Sequence, residues 1–91
     1  MDDLRVSDFA VGDSFEVQAG DAVHALVVED AKELPRAARE AGAFRLLFRG
    51  PAQPVLPQAT YTLKGSRRSD DVFIVPVSAD AEAVRYEAIF A

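Results

Sequence analysis

The side chains that could do chemistry are few in this chain of 91 residues, which has a single histidine, His24, and no cysteine. A nucleophile–histidine arrangement needs a serine, threonine or cysteine held beside the imidazole by a third group. The serines lie in predicted turns, and the sequence has no G-x-S-x-G elbow. We therefore predict that His24 is a surface residue of a strand and that the chain has no catalytic residue.

Acidic side chains occur in two adjacent pairs, Glu29–Asp30 and Asp70–Asp71. Neighbouring residues of a strand face opposite ways, so Glu29 and Asp30 are poor partners for acid–base catalysis unless the strand bulges. Asp70 and Asp71 fit the end of a turn better than a catalytic pair. One histidine with scattered carboxylates is a weak metal signal, and no glycine-rich phosphate loop occurs. We therefore predict no enzyme, no cofactor and no metal.

Arginines are the side chains best suited to binding a ligand. Arg67 and Arg68, in the segment GSRRSDD, could hold a phosphate or a carboxylate, or could pair with the following aspartates in a solvated hairpin turn. Arg45 and Arg49 share one face of a predicted strand and could anchor an anion at the mouth of a barrel. The sequence leaves these alternatives open.

The segment LFRGPAQPVLPQATY links two predicted strands and contains Pro51, Pro54 and Pro57, with Val55 and Leu56 before the last of them. Each proline fixes its own φ and favours an extended residue before it, so the loop is stiff. Exposing two neighbouring apolar residues is costly, so we expect the loop to fold back and cap one end of the core. The same stiffness would lower the entropic cost of binding, so a ligand-binding or partner-binding loop is the alternative.

Alternating apolar and polar residues predict six strands joined by short turns, with no long helix. The clearest strands are residues 43–49 and 58–64, and Gly50 is expected to leave the first of them through a positive φ. One helical turn anchored by Phe9 is predicted near the N-terminus. The pattern predicts a single all-β domain over residues 1–91, a small antiparallel barrel or sandwich of about six strands with a short N-terminal helical turn.

Successive strands are expected to pair as a meander from residue 43 onward. A bulge is expected at residues 29–30, where the alternation of Leu26 and Val28 is lost, and Pro76 should lie at an edge or a bulge because it has no N–H. The core is expected to contain Leu46, Phe48, Tyr61, Leu63, Phe73, Val75, Tyr86 and Phe90.

The net charge of −5 argues against nucleic acid as a partner, because phosphates need a basic face. Residues 1–35 carry nine acids and two bases, residues 36–68 seven bases and one acid, and residues 69–91 five acids and one base. Either the basic middle strands lie beside acidic ones and are neutralised, or the surface is dipolar and meets a partner of complementary charge. Without a membrane-spanning run or a signal-peptide pattern, the chain is expected to be cytoplasmic.

The segments FRLLFRGPAQPVLPQATYTL, FIVPV and RYEAIF together resemble a family of small uncharacterised bacterial all-β proteins. That family reads LLFRGP, then LPQ followed by a small residue and Y-x-L, then IFLVPV and RYEAVF. Its members are encoded near phage-tail-collar-like or tail-fibre-like proteins, so the resemblance implies a structural or assembly role. The resemblance assigns no catalytic residue, and the segment between Leu63 and Phe73 departs from the family pattern.

We therefore expect a non-enzymatic interaction or assembly module associated with phage-tail-like fibre proteins. It would bind a protein partner or a second copy of itself through exposed strand edges or an apolar patch near residues 51–57, and would bind neither nucleic acid nor membrane. The alternative is a small β-barrel that binds an anionic ligand, with the proline-rich loop over its mouth. That alternative requires an open cavity with convergent polar groups.

Overall fold

The computed structural model describes residues 5–35, 42–66 and 68–90. These residues form one short 3-10 turn and six β-strands, which confirms the all-β prediction. The turn, η1, spans Val6–Asp8, and the strands are β1 (Ser14–Ala19), β2 (Ala22–Glu33), β3 (Phe44–Pro51), β4 (Ala59–Lys64), β5 (Ser69–Ala79) and β6 (Ala83–Phe90). No helix within these described ranges is long and apolar enough to cross a membrane.

The strands close into one antiparallel barrel in the order β1-β2-β3-β6-β5-β4. The predicted meander is wrong at its first step, because β3 pairs with β6 along its whole length, from Phe44↔Phe90 to Pro51↔Ala83. Strand β4 pairs with β5 and β1 instead. Because β3 and β4 therefore lie on opposite sides of the barrel, the proline-rich loop between them has to cross one of its ends.

Alternating side chains from all six strands fill the interior of the barrel. The buried core comprises Phe9, Phe15, Val17, Leu26, Val28, Phe44, Leu46, Phe48, Leu56, Leu63, Val72, Ile74, Val84, Tyr86 and Ala88. Tyr61 and Phe90, both predicted to be core residues, pack against this cluster while remaining partly exposed.

Strand β5 presents the opposite face from the one predicted. Val72 and Ile74 point into the core, whereas Phe73 is 52% exposed and Val75 is only half-buried. Both faces of the segment VFIVPV are apolar, so its hydrophobic pattern could not select the register, and a shift of one residue reverses every side chain. The partner strands decide which face is inside.

The two irregular positions of the sheet lie where the sequence predicted them. The register between β2 and β3 shifts between Val28 and Asp30, and the register between β5 and β6 shifts between Pro76 and Ser78. The second bulge tolerates the missing N–H of Pro76. At the first, the side chain of Glu29 reaches across β3 to Arg85 of β6.

The basic strands are surrounded by acidic ones. Strand β3 lies between β2 and β6, and β4 lies between β1 and β5. Arg45 of β3 forms an ion pair with Glu87 of β6, and Lys64 of β4 lies opposite Glu16 of β1. Arg45 is thus neutralised by a neighbouring strand, as the first of the two interpretations predicts, and the proposal of a complementary partner stays a prediction.

One end of the barrel, here called the aromatic end, is closed by phenylalanine rings. Phe9, which follows η1, is buried, and its ring centroid lies 5.9 Å from that of Phe15 and 6.0 Å from that of Phe44. Phe44 and Phe90 stack with their centroids 4.4 Å apart. The predicted turn anchored by Phe9 is therefore the lid of this end.

The opposite end, here called the proline end, is covered by the loop of residues 52–58. Leu56 is buried, and its backbone N–H donates a hydrogen bond of 2.9 Å to the hydroxyl of the buried Tyr86. The hydroxyl of Tyr61 donates to the carbonyl of Pro57 at 2.7 Å. The loop thus caps the core, as predicted, although Val55 is 49% exposed.

Candidate functional site

The predicted anion-binding arginines of β3 lie on the outer surface. Arg45 and Arg49 alternate with Leu46 and Phe48, which are buried, so both arginines face away from the interior. Arg45 is engaged with Glu87 across the strands. Because the interior is filled by apolar side chains, these arginines do not line a cavity of the kind that the anion-binding alternative requires.

Arg85 organises a charged cluster on the outside of the proline end. Its Nε donates to Glu29 at 2.9 Å, and its Nη1 lies 3.4 Å from Asp80. The hydrogen bond from Arg85 lowers the pKa of Glu29, and the backbone N–H groups of Glu82 and Ala83 lower that of Asp80. The hydrogen bond to Glu29 raises the pKa of Arg85 in turn. These ion pairs connect β2, through Glu29, and the turn after β5, through Asp80, to Arg85 of β6.

The second pair of predicted arginines falls in the β4–β5 hairpin. Arg67 lies outside the described residues, whereas Arg68 pairs with Asp70 through Nε at 2.6 Å and Nη2 at 3.2 Å. This pairing matches the predicted hairpin-turn alternative for Arg68. Asp71 accepts a hydrogen bond from Thr62 at 2.6 Å instead.

Arg68 also borders a polar groove of about 490 Å³ between η1 and this hairpin. Its Nη1 lies 3.6 Å from Asp8, which accepts the backbone N–H of Arg5. Asp13, on the other wall, accepts the backbone N–H of Ala10. The carboxylates of Asp8 and Asp13 thus accept hydrogen bonds from the backbone of their own turns. The described residues contain no group of three potential metal ligands.

The proline-rich loop divides its predicted binding residues between the core and the surface. Leu56 is buried, whereas the exposed members are Pro51, Pro54, Val55 and Pro57. The predicted apolar patch near residues 51–57 is therefore reduced to one large exposed aliphatic side chain, Val55, beside the prolines.

The prediction that His24 is a surface residue is wrong. His24 is 8% exposed and lies in phase with the inward-facing Leu26 and Val28. It occupies the same alternation as these core residues, near the start of β2. Its polarity suggested a surface position, but the period of two along the strand determines where it points.

The largest exposed apolar feature of the sheet lies on the outside of β5 and β6. Phe73 and Ile89 are each 52% exposed, and Val77 is 48% exposed. Strands β5 and β6 pair from Val75↔Glu87 to Ala79↔Val84, and Phe73 and Ile89 lie two residues beyond the first of these pairs on their respective strands. We call Phe73, Val75, Val77 and Ile89 the β5–β6 face.

Polar groups border the β5–β6 face on both sides. Arg45 lies directly opposite Ile89 on one side, and Thr60 lies opposite Phe73 on the other. This face was not predicted from the sequence, because the apolar alternation of β5 indicated that Phe73 and Val75 belong to the core. The signal was present, since a strand that is apolar on both faces must expose one of them in a barrel with a single interior.

Comparison with known proteins identifies a family. No similar protein was found among curated proteins or among solved structures. The family model described as Domain of unknown function (DUF6916) matches residues 4–90, nearly the whole chain. The chain therefore belongs to the DUF6916 family.

Proposed function

We propose that this protein is a non-enzymatic interaction module that binds another protein through the β5–β6 face. The observation that carries the proposal is that Phe73 and Val77 of β5 and Ile89 of β6, on adjacent strands, are each about half exposed on the outside of the sheet. Contiguous apolar side chains on a monomer's surface are typical of binding sites, because their exposure to water costs free energy that a partner would recover.

The composition of the β5–β6 face resembles the anatomy of protein interfaces. It contains an aromatic side chain, Phe73, with Val75 and Val77 further along the same strand and Ile89 on the adjacent strand. The border consists of the Arg45–Glu87 ion pair and of Thr60. An aromatic anchor surrounded by polar groups is the arrangement in which a few central residues supply most of the binding energy.

The proposed partner is a phage-tail-like fibre or collar protein in the bacterial cytoplasm. The resemblance of the LLFRGP, FIVPV and RYEAIF segments to proteins encoded beside such components supports this choice. The partner would present an apolar patch with polar groups at its rim, complementary to the β5–β6 face. No nucleic acid or membrane takes part in the proposed interaction.

Removing the apolar side chains tests the proposal. We expect the double variant Phe73→Ser/Ile89→Ser to remain folded, because both side chains lie outside the core, but to lose the co-purification of a co-expressed tail-fibre-like protein encoded beside it. Val11→Ser is the matched control, since Val11 is 67% exposed in the turn after η1 and lies away from the β5–β6 face. Retention of the partner by the double variant would contradict the proposed surface.

Light scattering of the purified protein distinguishes a separate partner from a second copy. A monomer at high concentration is the expected result, because four side chains form a smaller contact than the roughly 800 Å² per subunit of a standard stable interface. A dimer that the double variant abolishes would instead identify a second copy as the occupant of the face.

A further inference from the structure

The pairing that closes the barrel, between β1 and β4, is its shortest. This pairing consists of Glu16↔Lys64 and Val17↔Leu63, whereas each of the other five strand pairings contains at least four residue pairs. Continuing the register would place Gln18 opposite Thr62, but the described pairing ends before that point. The two strands therefore separate towards the proline end.

Both separated segments keep their extended conformation because their other edges remain paired. Gln18 and Ala19 still pair with β2, and residues 59–62 of β4 still pair with β5. Each segment thus offers a preformed strand edge towards the gap. We call this gap, bounded by residues 18–19 and 59–62, the open seam.

The pairing pattern shows which backbone groups face the open seam. The N–H of Gly65 donates to the carbonyl of Arg68 in the β4–β5 hairpin. Hydrogen-bonded positions alternate along an antiparallel strand, so Tyr61 directs its backbone groups to β5, while Thr60 and Thr62 direct theirs to the seam. On the β1 side, the Val28 N–H donates to the Asp13 carbonyl, so Asp13 and every second residue after it direct their backbone groups to β2. Gln18 is out of phase with Asp13 and therefore directs its backbone groups to the seam.

A groove of about 510 Å³ lies along the open seam. Its walls comprise Glu16, Gln18, Gly20, Val23, Thr60, Tyr61, Thr62 and Lys64. Among the described residues of its walls, the charged ones are Glu16 and Lys64, which face each other at the closed end of the seam. The groove therefore combines strand edges with walls that are uncharged away from that end, where the two opposite charges balance each other.

We propose that the open seam binds an extended, uncharged peptide segment of another protein, which adds a strand to the edge of β4. An unpaired edge recognises another extended backbone through its row of N–H and carbonyl groups, and alternate side chains supply specificity. One side chain of the segment contacts the ring of Tyr61, which a hydrogen bond to Pro57 holds in place. The side chains of the residues before and after it point the other way, beside the hydroxyls of Thr60 and Thr62.

This surface meets the β5–β6 face at Thr60, which lies opposite Phe73. The seam uses the backbone groups of Thr60, whereas the β5–β6 face uses the side chains of Phe73 and Ile89. Because strand pairing at the seam does not require those two side chains, binding there is expected to survive Phe73→Ser/Ile89→Ser. This independence keeps the two proposals distinguishable, because the failure of one leaves the other untouched.

A peptide selection with a backbone-directed variant tests the proposal. The probe is a displayed library of random short peptides, selected on the purified protein, and the best peptide is then synthesised. We expect Thr60→Pro to weaken its binding by about tenfold or more, because proline removes the seam-facing N–H without removing a bond to β5. Thr60→Val is the matched control, since it keeps the N–H and should bind within about twofold of the wild type.

N-methylation of the peptide supplies the second measurement. A strand that pairs through one edge should lose binding when alternate residues are methylated and keep it when the residues between them are methylated. A uniform response to methylation, equal binding by Thr60→Pro and Thr60→Val, or a selection that enriches no peptide would each overturn the proposal. Loss of binding in Phe73→Ser/Ile89→Ser would also overturn it, because the peptide would then occupy the β5–β6 face.

Discussion

The two ends of the barrel are closed by different means. At the aromatic end, the ring of Phe9 lies among those of Phe15, Phe44 and Phe90. At the proline end, a chain segment crosses the opening and is held by the bond from the Leu56 N–H to the Tyr86 hydroxyl. The first closure depends on apolar area, and the second on one buried hydrogen bond.

Strand pairing shortens at both ends of the barrel: β1 and β4 pair only nearer to the aromatic end, whereas β5 and β6 pair only from Val75↔Glu87 towards the proline end. A cluster of rings can fill the space between diverging strands from several directions at once. The proline loop must instead span from β3 to β4 on opposite sides of the barrel, and it contributes one buried side chain, Leu56. The β1–β4 seam separates at the proline end, where the closure is a single strap of chain, while it is paired nearer to the aromatic end.

The largest effect is expected at the aromatic end. Phe44→Ala should lower the free energy of unfolding by about 3–5 kcal/mol, because it removes a buried ring that stacks on Phe90 and contacts Phe9. The measurement is urea denaturation followed by circular dichroism. So large a loss is a substantial part of the stability of a small domain.

Phe73→Ala is the control for that measurement, because Phe73 is also a strand phenylalanine but lies half exposed on the outside of the barrel. Its loss should cost about 0.5 kcal/mol or less. Equal losses for the two variants would show that β5 has the opposite register, with Phe73 in the core as its sequence pattern first indicated.

The sequence specified the number of strands and the faces of most of them. In β3, three apolar residues alternate with arginines and a leucine, so only one face of the strand could form a core. The bulges at Glu29 and Pro76 could also be predicted. The apolar alternation of β2 stops at Glu29, and Pro76 has no N–H to donate to a partner strand.

Features that depend on distant strands could not be read from local pattern. The partner of β3 is β6 rather than β4, and nothing in the proline-rich segment states whether it turns back or crosses the barrel. The β5–β6 face has the same origin: whether Phe73 or Ile74 points inward depends on the register with β4 and β6. The open seam is a property of two strands far apart in the sequence, so neither strand reveals it alone.

Glycines near both ends give a second comparison, because a neighbouring side chain occupies the space of each missing Cβ. A Cβ at Gly50 would lie 2.6 Å from Cδ2 of the fully buried Leu26 and 3.2 Å from the ring of Tyr86. Gly50→Ala should therefore destabilise the protein by about 1–3 kcal/mol, because the packed core cannot yield. Gly50 was expected to adopt a positive φ, but the glycines that do so in the described residues are Gly12, Gly20 and Gly42.

Gly65→Ala is the counterpart of that variant at the aromatic end. Its Cβ would lie 2.8 Å from the ring of Phe15, which is itself buried and packed against Phe9 and Phe48. We therefore expect a loss of similar size, about 1–3 kcal/mol, measured by the same denaturation. A much smaller loss at Gly65 than at Gly50 would show that the ring of Phe15 can shift and that the aromatic end is packed less tightly than the proline end.

The hydrogen bond that holds the proline loop is tested by Tyr86→Phe. This variant leaves the Leu56 N–H buried without its acceptor and should cost about 1–2 kcal/mol. Tyr61→Phe is the control, because its hydroxyl bonds to Pro57 on the exposed side and water can replace it. Faster hydrogen exchange of the Leu56 amide in Tyr86→Phe alone would locate the effect in the loop, whereas equal protection in both variants would show that the bond does not fasten it.

The smallest effect is expected from the charged cluster outside the proline end, through its dependence on pH. The hydrogen bond from Arg85 holds the pKa of Glu29 below its ordinary value, so the ionised carboxylate favours the folded state. Its contribution is complete above the ordinary carboxyl pKa and is lost as the pH falls through the lower, folded-state pKa. We therefore expect the stability difference between wild type and Glu29→Gln to be constant from neutral pH down to the ordinary carboxyl pKa, and to shrink below it.

Arg85→Gln isolates the cause of this pH dependence. Without the guanidinium, the carboxylate of Glu29 loses its main hydrogen-bond donor, so adding Glu29→Gln to that background should leave the pH profile of unfolding nearly unchanged. A largely exposed ion pair contributes little to the free energy of unfolding. We therefore expect a smaller effect here than from the variants of the proline loop and of the phenylalanine rings. A difference that widens as the pH falls would reverse the sign of the linkage, and would mean that Glu29 binds its proton more tightly in the folded barrel than in the unfolded chain.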